Sequence, residues 1–409
     1  MVGAGYTSFR KRKSPLPVGR GLFAFARVQA PPGGGTCPTR EERSEMRDAR
    51  CVQCERYAQN QWLGRERRTG GVVELARHLV GIQSQLRTTP DLAARARLAG
   101  ARPGDVRREL EETRRLVRTW TVRGTLHVVA AEDLPLLWRA LRPEWESRWS
   151  KYLDKHVTRV QREAAAAACL QILARGPATR AELLEGAQQI LGCRDEWVAY
   201  LFSSWGGVLK DLAYAGRVVY GPERDGEVQF VRTEDWLDLP VADMDPDDAL
   251  AVLLERYLRA YSPARIQDFA HWSGVSVRRA REALTRLGGR VAVRDGWLVP
   301  EGEGGGSCAP DRQAGGPGAD AGCVRLLPKF DPFLLAHADK FYLDEDHYKA
   351  VFRAAADVAA VILSGGRVIG TWRAEGSRVV PALFGPVDDA AAAELAQEVE
   401  AVSAWLRQG

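Results

Sequence analysis

Residues 246–300, PDDALAVLLERYLRAYSPARIQDFAHWSGVSVRRAREALTRLGGRVAVRDGWLVP, carry the pattern that decides the fold. Apolar residues recur at helical spacing as far as YLRAY, the first helix. Ser262 followed by Pro263 marks a second helix, SPARIQDFAHWSG, because a missing N–H costs nothing in a helix's first turn. The third, SVRRAREALTRLGG, stops at a glycine pair. RVAVRDGWLVP then alternates as a hairpin does, with Asp295-Gly296 at the turn. Three helices followed by a β-hairpin is the order of a winged helix, whose third helix enters the DNA major groove.

The preceding stretch repeats this order. REAAAAACLQILARG reads as a helix ending at Gly176. Thr179 and Glu182 have capping-box spacing at the head of the next. DEWVAYLFSSWGGVLKDLAYAGR is a third helix, weakened at Gly206 and Gly207, and RVVYGPERDGEVQFVR is a hairpin turning at Asp225-Gly226. Two successive copies of one plan support each other. Further upstream, VVELARHLVGIQSQ places Val73, Leu75, Ala76, Leu79, Val80 and Ile82 mostly on one helical stripe. A second helix, DVRRELEETRRL, follows the break at Arg102-Pro103-Gly104. RTWTVRGTLHVVA reads as strand or hairpin, and AEDLPLLWRALRPEWESRW returns to helix.

The expected class is therefore α+β, with tandem winged-helix (helix-turn-helix) modules and a C-terminal β-rich domain. Residues 1–45, rich in Gly, Pro and Arg, read as a disordered extension. The modules are expected at 46–158, 159–242 and 243–300. A low-complexity linker at 301–322 leads to strands and a terminal helix at 323–409.

Composition narrows the function classes. The chain has 409 residues, 45% hydrophobic and 27% charged, which is an ordinary globular balance. No stretch approaches the roughly 20 apolar residues of a membrane span. The early apolar run GLFAFARV is short and carries an arginine, which argues against a secretion signal. Seven cysteines, an odd and scattered set, argue against a disulfide framework and for a cytoplasmic protein. Cys51 and Cys54 form one CxxC, which fills half of a tetrahedral zinc site at most. GxxxxGK[ST], HExxH and GxSxG are absent from the sequence, so neither a cofactor nor a metal is expected. The net charge of +5 suits a polyanionic partner.

Two groups of residues carry candidate chemistry. Arg278, Arg279 and Arg281 lie on the third helix of 243–300, where a recognition helix places its phosphate and base contacts. Gly81–Gln85, GIQSQ, puts two amides one residue apart at the end of an apolar helix. Extended, Gln83 and Gln85 share a face; helical, they point roughly 200° apart. Each amide both donates and accepts, so a pair can orient water and stabilise a polarised sugar.

GIQSQ, TVRGTLHVVAAEDL, LLPKFDPFLLAHADK and GGRVIGTW occur in an order that resembles the AlkZ-like winged-helix DNA glycosylases, across residues 46–387. The resemblance implies three tandem winged helices, a C-terminal β-rich domain and excision of N7-alkylated guanine, including bulky adducts and interstrand crosslinks. It implies Gln83 and Gln85 as the catalytic Gln-x-Gln, with Ser84 where a more apolar residue is usual. Arg123, Thr125 and His127 of the RGTLH segment, and Lys340, become candidate DNA contacts. Asp331 reads as a turn residue, since AspPro commonly initiates a turn. The expected protein is a monomeric, metal-independent, monofunctional glycosylase whose partner is double-stranded DNA. The competing reading is a non-catalytic winged-helix DNA-binding protein or regulator.

Overall fold

The computed structural model describes residues 40–203, 207–240, 243–294, 296–300 and 323–408. It is a mixed α+β structure in which three successive segments build the same small antiparallel sheet. In the first, Ile82–Gln83 pairs with Leu126–Ala130, which pairs with Leu116–Trp120. In the second, Ala178–Thr179, Glu227–Arg232 and Val218–Arg224 take the same order. In the third, a bridge at Ala264 joins Trp297–Pro300, whose hairpin partner is Val291–Arg294. In the first two a short early strand, and in the third the single bridge residue Ala264, lies beside the last strand of a hairpin.

Helices fill the chain between. The first segment contributes Val72–His78, Thr89–Arg97 and Asp105–Glu111. The third contributes Pro246–Tyr261, Ile266–Ser273 and Val277–Leu287. In the second, Arg159–Leu173 and Arg180–Leu191 each open with a full capping box, Thr158 with Gln161 and Thr179 with Glu182. Such a box satisfies two otherwise unpaired N–H groups at a helix start.

Four boundaries differ from the sequence reading. Ser262 and Pro263 precede the second helix of the third segment, which opens at Ile266 because Ala264 is first drawn into the sheet. The long helix expected from Asp195 is two, Glu196–Phe202 and Val208–Tyr214. Between them the chain bends at Gly207, so close to the Leu153 side chain that a Cβ would lie 2.3 Å from it. The apolar helix before GIQSQ ends at His78. Finally, a helix runs from Arg40 to Asn60, so the last residues of the stretch expected to be disordered are helical. Residues 1–39, the linker 301–322 and Asp295 of the expected turn lie outside the described residues.

The C-terminal part is a four-stranded antiparallel sheet, Val324–Leu327, Val361–Ser364, Arg367–Glu375 and Arg378–Leu383 in spatial sequence. Helix Asp389–Leu406 packs against it through Leu395 and Val402. Its Gly365-Gly366 turn presses on the first helix, where a Cβ on Gly366 would sit 2.1 Å from the Cys54 carbonyl oxygen. Arg97 and Asp331, both fully buried, form a bidentate pair at 2.7 and 2.9 Å that joins the first segment to this part. Arg256 holds Asp133 the same way at 2.6 and 2.7 Å, joining the third segment to the first. Among the described residues, no helix is long and apolar enough to cross a membrane.

Candidate functional site

Within GIQSQ, Ile82–Gln83 is strand and no residue is helical. Val80 and Gly81 take left-handed backbone angles, φ 52° and 110°, which end the apolar helix. A Cβ on Gly81 would lie 2.9 Å from Val129 Cγ1, so glycine lets the chain lie flat against the central strand. Ile82 and Gln83 then pair with Val128 and His127, and the Ser84 N–H donates to the Leu126 carbonyl at 2.8 Å. Gln83 is buried. Gln85 is exposed, just beyond the ladder, on a loop of residues 84–88.

That loop is tethered at both ends. Arg118 donates to the Ser84 carbonyl at 2.9 Å. Arg87 reaches the hairpin tip of the second segment, meeting Glu223 at 2.7 Å and the Gly226 carbonyl at 3.1 Å. Beside the loop opens a groove of about 430 Å³, lined by Leu86, Thr88, Pro328, Lys329, Arg353 and Arg373 among others.

Gln83 faces two residues of the RGTLH segment. His127 is its cross-strand neighbour, so the two side chains share a face of the sheet. Arg123 comes from the tight turn Val122–Gly124 and donates from Nη2 to Gln83 Oε1 at 3.1 Å. Its Nη1 donates to the Trp272 carbonyl at 2.6 Å, at the end of helix Ile266–Ser273. The same turn closes on itself through Thr125, whose Oγ1 donates to the Val122 carbonyl at 3.0 Å.

The electrostatics follow from burial around one retained charge. Desolvation lowers Arg123 to about 10, which leaves it cationic at neutral pH. Burial, and then the charge of Arg123, push His127 down to about 3. His271 falls to about 3 through burial, then Lys340 and Arg123. Burial and then Arg123 bring Lys340 down to about 7, with Asp268 and Asp339 partly offsetting them. His127 is therefore neutral. Its Nδ1 lies 3.1 Å from the Thr125 carbonyl, an acceptor only, so Nδ1 carries the proton and Nε2 keeps a lone pair.

The structure thus brings Gln83, Arg123 and His127 together, with Gln85 on the adjoining loop. Thr125 and Lys340 are buried, and the Lys340 ammonium donates to the Leu334 carbonyl at 3.1 Å and to the His337 carbonyl. Arg278 and Arg281 are exposed on their helix, Arg278 pairing with Glu282 at 2.5 Å. Arg279 turns inward to Asp247 at 3.0 Å. Sequence reading missed His271 and the Trp272 carbonyl. The glycine closing HWSG signals the helix end there, but nothing local signals its approach to Arg123.

Residues 76–405 match a family model described as DNA glycosylase AlkZ-like. An interstrand DNA cross-link repair glycosylase of Streptomyces sahachiroi is 30% identical over 316 residues, 72% of this chain and 80% of that protein. The solved structure of the Streptomyces sahachiroi DNA glycosylase AlkZ superposes with a TM-score of 0.72 at 26% identity, covering 88% of this chain and 96% of that one.

Proposed function

Because the chain belongs to the AlkZ-like DNA glycosylase family, we propose that it hydrolyses the N-glycosidic bond of N7-alkylated purines in double-stranded DNA, interstrand crosslinks included, with Gln83 and Gln85 as the reacting pair. The crosslink part of this reading draws on the activity named for the Streptomyces relative. The three sheet-bearing segments act as winged helices bounded at 46–158, 159–242 and 243–300, ahead of a β-rich domain at 323–409.

One observation carries the reading: two amides one residue apart where strand Ile82–Gln83 runs into the loop 84–88, Gln83 held inside against Arg123 and Gln85 open to solvent. The chemistry asks for such groups. An N7-alkylguanine is already cationic, so the bond from C1′ to N9 breaks with its electron pair going to the base, which leaves neutral. No general acid is needed. The sugar becomes oxocarbenium-like, a water adds at C1′, and that water's proton is lost to solvent. Preorganised carbonyl dipoles stabilise the developing charge and hold the water. The exposure of Gln85 on its loop suits a lesion too bulky to be swung into a closed pocket.

The test is release of base from a duplex oligonucleotide carrying one N7-methylguanine, by the wild type, Gln83→Ala and Gln85→Ala. Release above the spontaneous rate, reduced about 100-fold or more in each variant, is the expected result. Equal release in all three, with DNA still bound, refutes the pair.

A further inference from the structure

Resting on the assignment of Gln83 above, we propose that Arg123 is a positioning residue that fixes the amide of Gln83, and not a clamp on DNA phosphate. The chemistry of the contact defines what is fixed. A guanidinium has only donors, so the Gln83 atom 3.1 Å from Nη2 is the carbonyl oxygen and not the amide nitrogen. Oε1 keeps a second lone pair, the one an attacking water or a developing C1′ cation needs. With the amide turned over, an NH2 would stand there, and it accepts nothing.

Arg123 is itself held from several sides. Its backbone is left-handed, φ 58° and ψ 11°, a region that non-glycine residues rarely occupy. Thr121 N–H donates to the Thr125 carbonyl at 3.1 Å, Gly124 N–H donates to the Thr121 carbonyl at 3.0 Å, and the Tyr214 hydroxyl also donates to that carbonyl. Gly274 lies so close that a Cβ on it would stand 3.1 Å from Arg123 Cα. The second guanidinium nitrogen is taken by the Trp272 carbonyl at a helix C-terminus, where the peptide dipoles favour a cation. Among the described residues, no carboxylate lies within ion-pair distance of Arg123. A partly buried guanidinium without an acid does little for stability, and strained backbone persists where surrounding structure imposes it for a purpose. Among the described residues, the side chain that accepts a hydrogen bond from Arg123 is Gln83.

The test compares Arg123→Ala, Arg123→Lys, Gln83→Ala and the Arg123→Ala/Gln83→Ala double variant in the full chain. Base release from the N7-methylguanine duplex is read in single turnover at saturating enzyme, and affinity for an undamaged duplex by fluorescence anisotropy. Arg123→Ala is expected to slow release about 10- to 100-fold, the scale set by misplacing a reacting group, with duplex affinity within about threefold of wild type. Arg123→Lys keeps the charge but cannot bridge Gln83 and Trp272, so it recovers only part of the rate. The double variant is no slower than Gln83→Ala.

Weakened duplex binding with a wild-type rate at saturation makes Arg123 a phosphate clamp and overturns the proposal. So does a lysine variant that restores the full rate, or a double variant whose two defects multiply. A wild-type rate in Gln83→Ala is a separate result, which refutes the glutamine assignment underneath.

Discussion

Asp331→Ala is expected to destabilise the protein severely. Arg97 and Asp331 are both fully buried, and their two bonds of 2.7 and 2.9 Å are the charge compensation for Arg97. The variant leaves that guanidinium with two carbonyls, Gln61 at 2.9 Å and Ala93 at 3.1 Å. Stranding one partner of a buried pair costs about 3–5 kcal/mol. Asp331 also accepts the Phe333 N–H at 2.9 Å, a cap worth about 1 kcal/mol. The combined loss is roughly half of a typical stability of about 5–15 kcal/mol. At a urea slope near 3 kcal/mol per molar, the unfolding midpoint falls by more than about 1 M. Tryptophan fluorescence through a urea titration reads it. The Arg97→Met/Asp331→Leu variant, which removes both charges, is expected to regain most of the loss. A midpoint for Asp331→Ala within about 0.3 M of wild type refutes the assignment of this pair as the weld between the first segment and the C-terminal sheet.

Three further expectations concern particular residues. His127 is neutral in the folded protein because burial and Arg123 hold it near 3, whereas the unfolded chain takes up a proton below about pH 6.5. Stability is then full above 6.5 and falls as pH drops from there toward 3, by about 1.4 kcal/mol per unit; urea titrations at pH 7, 6 and 5 show the slope, and His127→Asn removes this contribution. Gly274→Ala places a Cβ against the Arg123 backbone at a glycine with φ 83°, so it is expected to cost about 1–2 kcal/mol and to slow base release, both measurable on one preparation. Arg278→Ala and Arg281→Ala, at exposed positions of helix Val277–Leu287, are expected to weaken duplex binding and lower the slope of log affinity against log salt by about one for each phosphate no longer neutralised; an unchanged slope takes this helix off the DNA backbone.

The parts of the fold governed by short-range chemistry were legible in the sequence. Thr179 with Glu182 announced a helix start that the structure shows as a full capping box. Asp225-Gly226 announced the hairpin between Val218–Arg224 and Glu227–Arg232. The GIQSQ conformation stayed open because Val80 and Ile82 continue the helix's apolar stripe. Only pairing with Leu126–Ala130, more than forty residues on, makes the segment a strand. Ser262-Pro263 misled for a similar reason, since the bridge from Ala264 to Leu298 overrides a local start signal. Gln83 and Gln85 stood out in the sequence as two amides one residue apart. Their unequal exposure did not, and neither did the hold of Arg123 on one of them, which runs across 40 residues of chain.

A short early strand in the first two segments, and the bridge residue Ala264 in the third, pair with a hairpin, but the chain leaves them differently each time. After Ala178–Thr179 it enters a helix at once, with Thr179 spent as the cap. After Ala264 a helix opens at Ile266. After Gln83 five residues intervene before Thr89. The first segment alone therefore carries a five-residue loop, 84–88, between its short strand and the following helix. With Gln83 and Gln85 proposed as the reacting pair, an active-site titration is expected to count one equivalent per chain, and substitutions within residues 84–88 are expected to lower base release while leaving duplex affinity unchanged.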